Sequence, residues 1–170
     1  MKWTSRGGPL LMMALAWSPM AFGGAPAERP SENIAAGASY TLEPVPNYQY
    51  CTDDGDVTQL TDGVYHQTEE SLWTQPSTVG WQEKQPAIIT LDLGSVKPIR
   101  GVSFNTAGGR AGVTWPTAIR IFTAGEDSEF HEIGDLLALS AQQGPPVPTV
   151  YGMHRYWTDQ LRTHGRYLCL

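Results

Sequence analysis

The sequence has 170 residues, room for one ordinary domain plus a processing segment, and its 41% hydrophobic content excludes wholesale disorder. Only 16% of residues are charged against about 25% in an average soluble protein, while 18 glycines and 13 prolines favour turns over helices. Lys2 and Arg6 precede the first acidic residue, Glu28, so beyond residue 27 nine basic residues face 17 acidic ones, a net charge of −8; with no basic patch, nucleic acid and anionic lipid are excluded as partners.

Residues 1–27 read as a secretory signal. Lys2 and Arg6 form a positive start, Leu10 to Trp17 is an unbroken apolar run, and small residues follow Ser18-Pro19. Two exits compete, Ala21-Phe22-Gly23 and Ala25-Pro26-Ala27. A run of eight apolar residues falls short of the roughly 20 that a membrane-spanning helix needs. The expected location is therefore secreted, periplasmic or extracellular, with no membrane span.

Along the remaining chain, residues 38–42 form a weak strand candidate. Ala87 to Leu93 gives the clearest signal: Ala87, Ile89, Leu91 and Leu93 share one face and Thr90 and Asp92 the other, the alternation of a half-buried strand. Gly94 is expected to end it. Further strands are expected at Ile99 to Asn105, Ala118 to Thr123 and Arg166 to Leu170, with a weak one at 147–151. Helix is expected only at 131–140, or as a short turn near 158–163. Long loops fill 43–63, 74–86, 106–116 and 140–148. Short strands joined by long loops predict an all-β sandwich.

The acidic stretch Asp53-Asp54-Gly55-Asp56, with Asp62 close behind, is either a solvated turn or a site for Ca²⁺, which takes several oxygen ligands. It does not match EF-hand spacing. Cys51 and Cys169, in an oxidising compartment, either bridge or stay separate thiols. Closing so long a loop would stabilise by roughly 4–5 kcal/mol.

The motifs also fall into a recognisable order. Asn33-Ile34-Ala35 is followed by Leu60-Thr61-Asp62-Gly63, Leu72-Trp73, and Ile89-Thr90-Leu91-Asp92-Leu93-Gly94. Then come Ile99-x-x-Val102-x-Phe104, Ala118-Ile119-Arg120-Ile121-Phe122 with Glu126-Asp127-Ser128-x-Phe130, and Gly165-Arg166-Tyr167-Leu168-Cys169-Leu170. From about residue 33 to residue 170 this series resembles the discoidin, or coagulation-factor type C, family. That family has the galactose-binding-like fold shared with many bacterial carbohydrate-binding modules. The resemblance implies one domain over 33–170, an eight-stranded jelly-roll sandwich binding ligand through loops at one end. It also implies a core position for Trp73 and a structural calcium beside the Asp62-Gly63 turn, held mostly by backbone carbonyls. Asp62 is the first expected ligand and Asp56 the second. The sequence departs from the family pattern after Leu170, where the family continues into a closing strand that supplies one usual calcium ligand. On that pattern the sandwich lacks part of its seam, or the chain is a piece of a longer protein.

Loop aromatics are the best candidates for sugar contact, because a pyranose offers an apolar C–H face to a ring while its hydroxyls need directional partners. Tyr48, Tyr50, His66, Trp81, Arg110 and Trp115 all fall in expected loops. The glycines of Ala107-Gly108-Gly109-Arg110-Ala111-Gly112 precede Val113-Thr114-Trp115-Pro116 rather than a helix start, which excludes a dinucleotide loop. The four histidines lack zinc-site spacing, no Gly-x-Ser-x-Gly elbow occurs, and the cysteines are too far apart for a redox pair. Glu69-Glu70 and Asp53-Asp54 are merely adjacent, whereas glycoside hydrolysis needs carboxylates facing each other across a cleft. The expected function is thus an exported, non-catalytic glycan-binding module. The alternatives are a cell-surface adhesion or protein-interaction module, and the N-terminal piece of a larger secreted glycan-active enzyme.

Overall fold

The computed structural model describes residues 32–66 and 71–170. The signal segment over 1–27 and the Glu69-Glu70 pair lie outside the described residues. Seven strands and one short helix follow in order: β1 (Ser39–Glu43), β2 (Ile88–Ile99), β3 (Val102–Gly108), β4 (Arg120–Ala124), β5 (His131–Asp135), α1 (Leu136–Ser140), β6 (Gly152–Thr158) and β7 (Thr163–Cys169). They form a five-stranded sheet in the order β1-β2-β7-β4-β5 and a two-stranded sheet of β3 and β6. Every strand pairing is antiparallel.

Alternation along the strands explains the core. Ile89, Leu91 and Leu93 of β2 point inward with Ile121 of β4 and Leu168 of β7, and they meet Val102 and Tyr156 from the smaller sheet. Ile121 and Leu136 are fully buried and Ile99 almost so. Leu136, at the start of α1, donates its backbone N–H to the Ile119 carbonyl at 2.8 Å and so closes one side of the sandwich. The all-β sandwich expected from the sequence is the observed architecture.

Several local expectations differ. The described residues form seven strands rather than the implied eight. Gly94, at φ +79°, does not end β2; the strand bulges between Asp92 and Lys97 and runs on to Ile99. The segment 131–140 is half strand and half helix, because β5 pairs with β4 before Asp135 caps α1 through Leu137 N–H at 2.9 Å. The weak strand at 147–151 is loop, and β6 begins only at Gly152. Leu72 takes the buried place expected of its neighbour, and Trp73 is only half-buried.

Topology then sorts the connections. β2 starts where β1 and β7 end, since Ile88 pairs with Glu43 and Thr90 with Cys169. β4 starts beside Cys169, and Arg120 opposite Asp135 places the end of β5 there too. β3 returns along the sandwich to Gly108, opposite the first residue of β6. The long connections 44–87, 109–119 and 136–151 therefore leave from one end, the loop end. The short turns 100–101, 125–130 and 159–162 lie at the other.

Candidate functional site

At the loop end, the 44–87 connection contributes a 3-10 turn over Leu72–Thr74. Thr78 Oγ1 donates to the carbonyls of Leu72 (2.9 Å) and Gln75 (2.7 Å), folding this segment onto itself. Leu72 N–H donates to the Tyr151 hydroxyl at 3.2 Å, tying the segment to the residue just before β6. Above that bond, the Trp73 and Tyr151 rings meet edge to face, 5.5 Å apart at 84°.

The 109–119 loop delivers Arg110 to the same place. Gly109 N–H donates to the Val113 carbonyl (2.9 Å) and Val113 N–H to the Arg110 carbonyl (3.0 Å), closing a tight turn. Gly109 sits at φ +86°, and an added Cβ would lie 2.8 Å from the Val150 backbone, so only glycine fits. Arg110 is exposed, and its guanidinium carbon lies 6.0 Å from the Tyr151 ring centroid. His66 Nδ1 lies 3.3 Å from Ser77 Oγ, one residue before Thr78 in the folded 71–78 segment. Trp73 and Tyr151, both half-buried and packed edge to face, thus lie beside the exposed cation of Arg110, a combination of aromatic surface and donors that suits stacking and hydroxyl recognition.

The other expected sugar-contacting residues are placed differently. Trp115 folds back over Gly108, where an added Cβ would lie 2.8 Å from its ring, and meets His154 edge to face at 6.1 Å. His154 is itself buried against Tyr156, ring centroids 4.5 Å apart, and burial pushes its pKa down. Trp81 packs against the core and donates Nε1–H to the Pro44 carbonyl at 2.6 Å. Tyr48 and Tyr50 pair edge to face at 5.4 Å on a separate loop, with Tyr50 61% exposed. That loop is laced to residues 80–82 by Asn47, whose Oδ1 accepts from Gln82 N–H (2.9 Å) and whose Nδ2 donates to the Gln82 carbonyl (3.2 Å). Arg110 therefore stands by the central surface, His66 meets Ser77 of the neighbouring segment, and the two tyrosines form a second aromatic pair. Sequence reasoning missed Tyr151, whose only signal was a weak strand pattern.

The two cysteines are free, which corrects the candidate disulfide. Cys51 is buried beneath Gly80, where an added Cβ would lie 2.6 Å from its sulfur. Cys169 lies in the sheet between Thr90 of β2 and Phe122 of β4. Burial, foremost, raises the Cys51 pKa and keeps it a thiol.

The acidic stretch is folded into a 3-10 turn over Asp54–Val57, capped by Asp53 Oδ1, which accepts from Gly55 N–H at 2.7 Å. Asp56 is 6% exposed, and its Oδ1 has no hydrogen-bond partner among the described residues. Desolvation, followed by the charge of Asp53, pushes its pKa up. Asp62 is exposed, and its Oδ1 accepts from Val64 N–H at 2.7 Å in a local turn. No group of three His, Cys, Asp or Glu side chains suited to a metal comes together among the described residues. Of the two expected calcium ligands, Asp56 holds a buried, unpartnered carboxylate oxygen, whereas Asp62 is exposed and committed to its own turn.

No protein-family profile matches the chain, and no curated relative matches it. Among solved structures it is similar to CpGH89CBM32-6 of Clostridium perfringens, at 17% identity and a TM-score of 0.45 over 81% of this chain and 86% of that one. It is also similar to CpGH89CBM32-5 of the same organism, in complex with GalNAc-β-1,3-galactose, at 18% identity and a TM-score of 0.43 over 80% and 84%. The C-terminal domain of a chitobiase from Bacteroides fragilis is similar at 12% identity and a TM-score of 0.41 over 79% and 80%. The disaccharide belongs to the protein that holds it.

Proposed function

We propose that the chain is an exported, non-catalytic glycan-binding module whose ligand lies on the Trp73–Tyr151–Arg110 surface. One observation carries this reading: two aromatic rings in contact, with an exposed arginine beside them, built from the three long connections that share one end. A pyranose would lay its C–H face on a ring while Arg110 donates to its hydroxyls, and His66 with Ser77 would border it. Such a surface is shallow, so affinity for a single sugar is expected at about the millimolar level, ~4 kcal/mol of binding. Several modules, or a larger secreted protein carrying this one, would gain by avidity. Calcium at Asp56 would stabilise the 53–62 segment rather than touch the ligand.

A glycan array probed with the intact chain, with and without calcium, tests the proposal. Binding to a defined sugar that is lost in Arg110→Ala supports it, and silence on every sugar in both conditions sinks it. A protein-interaction module is the second reading, favoured by the exposed apolar side chains of Val57, Val64 and Tyr65 beside the sandwich. Binding to a protein partner that survives Trp73→Ala and Arg110→Ala but fails on Val64→Ser would select it.

A further inference from the structure

The short-turn end carries a cluster that the loop-end reading does not use. Of the six arginines among the described residues, Arg120 and Arg166 are in ion pairs, and Arg110 and Arg155 lie over tyrosine rings. Arg100 and Arg162 have neither kind of partner among the described residues. Both line one polar pocket of about 230 Å³, together with Asp159, Gln160 and Leu161.

Their convergence is built into the backbone. Arg100 opens the turn between β2 and β3, and Arg162 closes the connection from β6 to β7. Leu161 N–H donates to the Arg100 carbonyl at 2.8 Å, and the Leu161 side chain is buried. Gly101 packs so tightly on the neighbouring turn that an added Cβ would lie 2.3 Å from the Thr158 carbonyl oxygen. The bases of both arginines are therefore held in register. In an otherwise acidic domain, two unpaired guanidiniums over one pocket reverse the local sign.

We propose that Arg100 and Arg162 bind the carboxylate or sulfate of an acidic sugar, with Asp159 and Gln160 taking its neighbouring hydroxyls. A guanidinium fork matches an oxyanion with paired N–H donors. Asp159 makes no ion pair with either arginine, and its carboxylate accepts from a hydroxyl, which a bare inorganic anion does not offer. The carboxylate therefore selects sugar acids over simple anions. Both guanidiniums are exposed, so the attraction weakens with added salt. This site lies opposite the loop aromatics and stands independently of them.

The test is a titration of the whole chain, followed by amide shifts, with glucuronate, a sulfated heparin disaccharide, glucose and sodium sulfate. Glucuronate and the disaccharide are expected to shift the amides of 100–101 and 159–163 and to bind about tenfold tighter than glucose or sulfate. The Arg100→Gln/Arg162→Gln pair should weaken that binding about tenfold, with shifts elsewhere unchanged, and Trp73→Ala should leave it intact. Should the double variant lose its fold, Arg162→Lys keeps the charge and is expected to weaken binding by removing the fork. Asp159→Asn should narrow the preference over free sulfate. Equal binding of free sulfate, undiminished binding in the arginine variants, or no response at these turns would overturn the proposal.

Discussion

Two arginines of the sandwich, Arg166 and Arg110, use their charge in opposite ways. Toward the turn end, Arg166 grips Asp92 with Nε and Nη2, both at 2.9 Å, and reaches Glu126 of the β4–β5 turn with Nη1 at 2.7 Å. Gly94 N–H adds a bond to Asp92 Oδ1 at 2.8 Å, and the guanidinium lies over the Tyr167 ring. Every strong group in that clasp is answered from within the chain. At the loop end, Arg110 lies over the Tyr151 ring, makes no ion pair among the described residues and remains exposed. An arginine whose donors are already matched is architecture, and one whose donors are left open is available to a ligand. Arg166 joins strands; Arg110 awaits hydroxyls.

The largest way to break this contrast is to remove its shared support. Leu136→Ala, at a fully buried position where α1 meets the core, should cost about 2–5 kcal/mol in denaturant unfolding. It should loosen the 136–151 connection along with the fold. A smaller, sharper test compares two glycines. Gly109→Ala adds a collision with the Val150 backbone to the roughly 1–2 kcal/mol strain of positive φ. Gly94→Ala meets open space and should cost the strain alone. Equal losses in the two variants would show that the Arg110 turn is not held against Val150.

The clasp itself should show in acid. Hydrogen bonds from Arg166, then from Gly94, hold the Asp92 carboxyl down at about 2. Its stabilisation is present above the unfolded carboxyl value, near 4, and is lost as pH falls through about 2. Arg166→Met should flatten the stability curve across that window, by a modest amount because both side chains are about a third exposed. The smallest effect belongs to His154. Burial depresses its pKa, so the unfolded chain binds the proton more readily and stability declines as pH falls below about 6.5. His154→Phe should remove that share of the slope in thermal melts between neutral and mildly acidic pH.

Much of this contrast was legible in the sequence at one end and little at the other. Asp92-Leu93-Gly94 and Gly165-Arg166-Tyr167 stood out because strand alternation and turn chemistry are local. The bond that joins them spans 74 positions and emerges only when β2 pairs with β7. β6 escaped notice because its inward residues, His154, Tyr156 and Thr158, carry polar atoms and break the apolar alternation. β5 read as helix because an edge strand has few buried residues to set a period. Trp81 looked like a loop aromatic, yet its indole is committed to Pro44, a contact fixed by how 44–81 folds back. Arg110 was visible because glycines flank it, whereas Tyr151, its ring partner, offered no comparable sign.

The measurement that bears most directly on the central claim is glycan binding by the chain against its Arg110→Ala and Trp73→Ala variants, with thermal stability followed in parallel. A defined sugar ligand is expected, with affinity falling at least about tenfold in each variant while the melting temperature stays close to that of the parent. Glycan binding that survives both substitutions would contradict that claim.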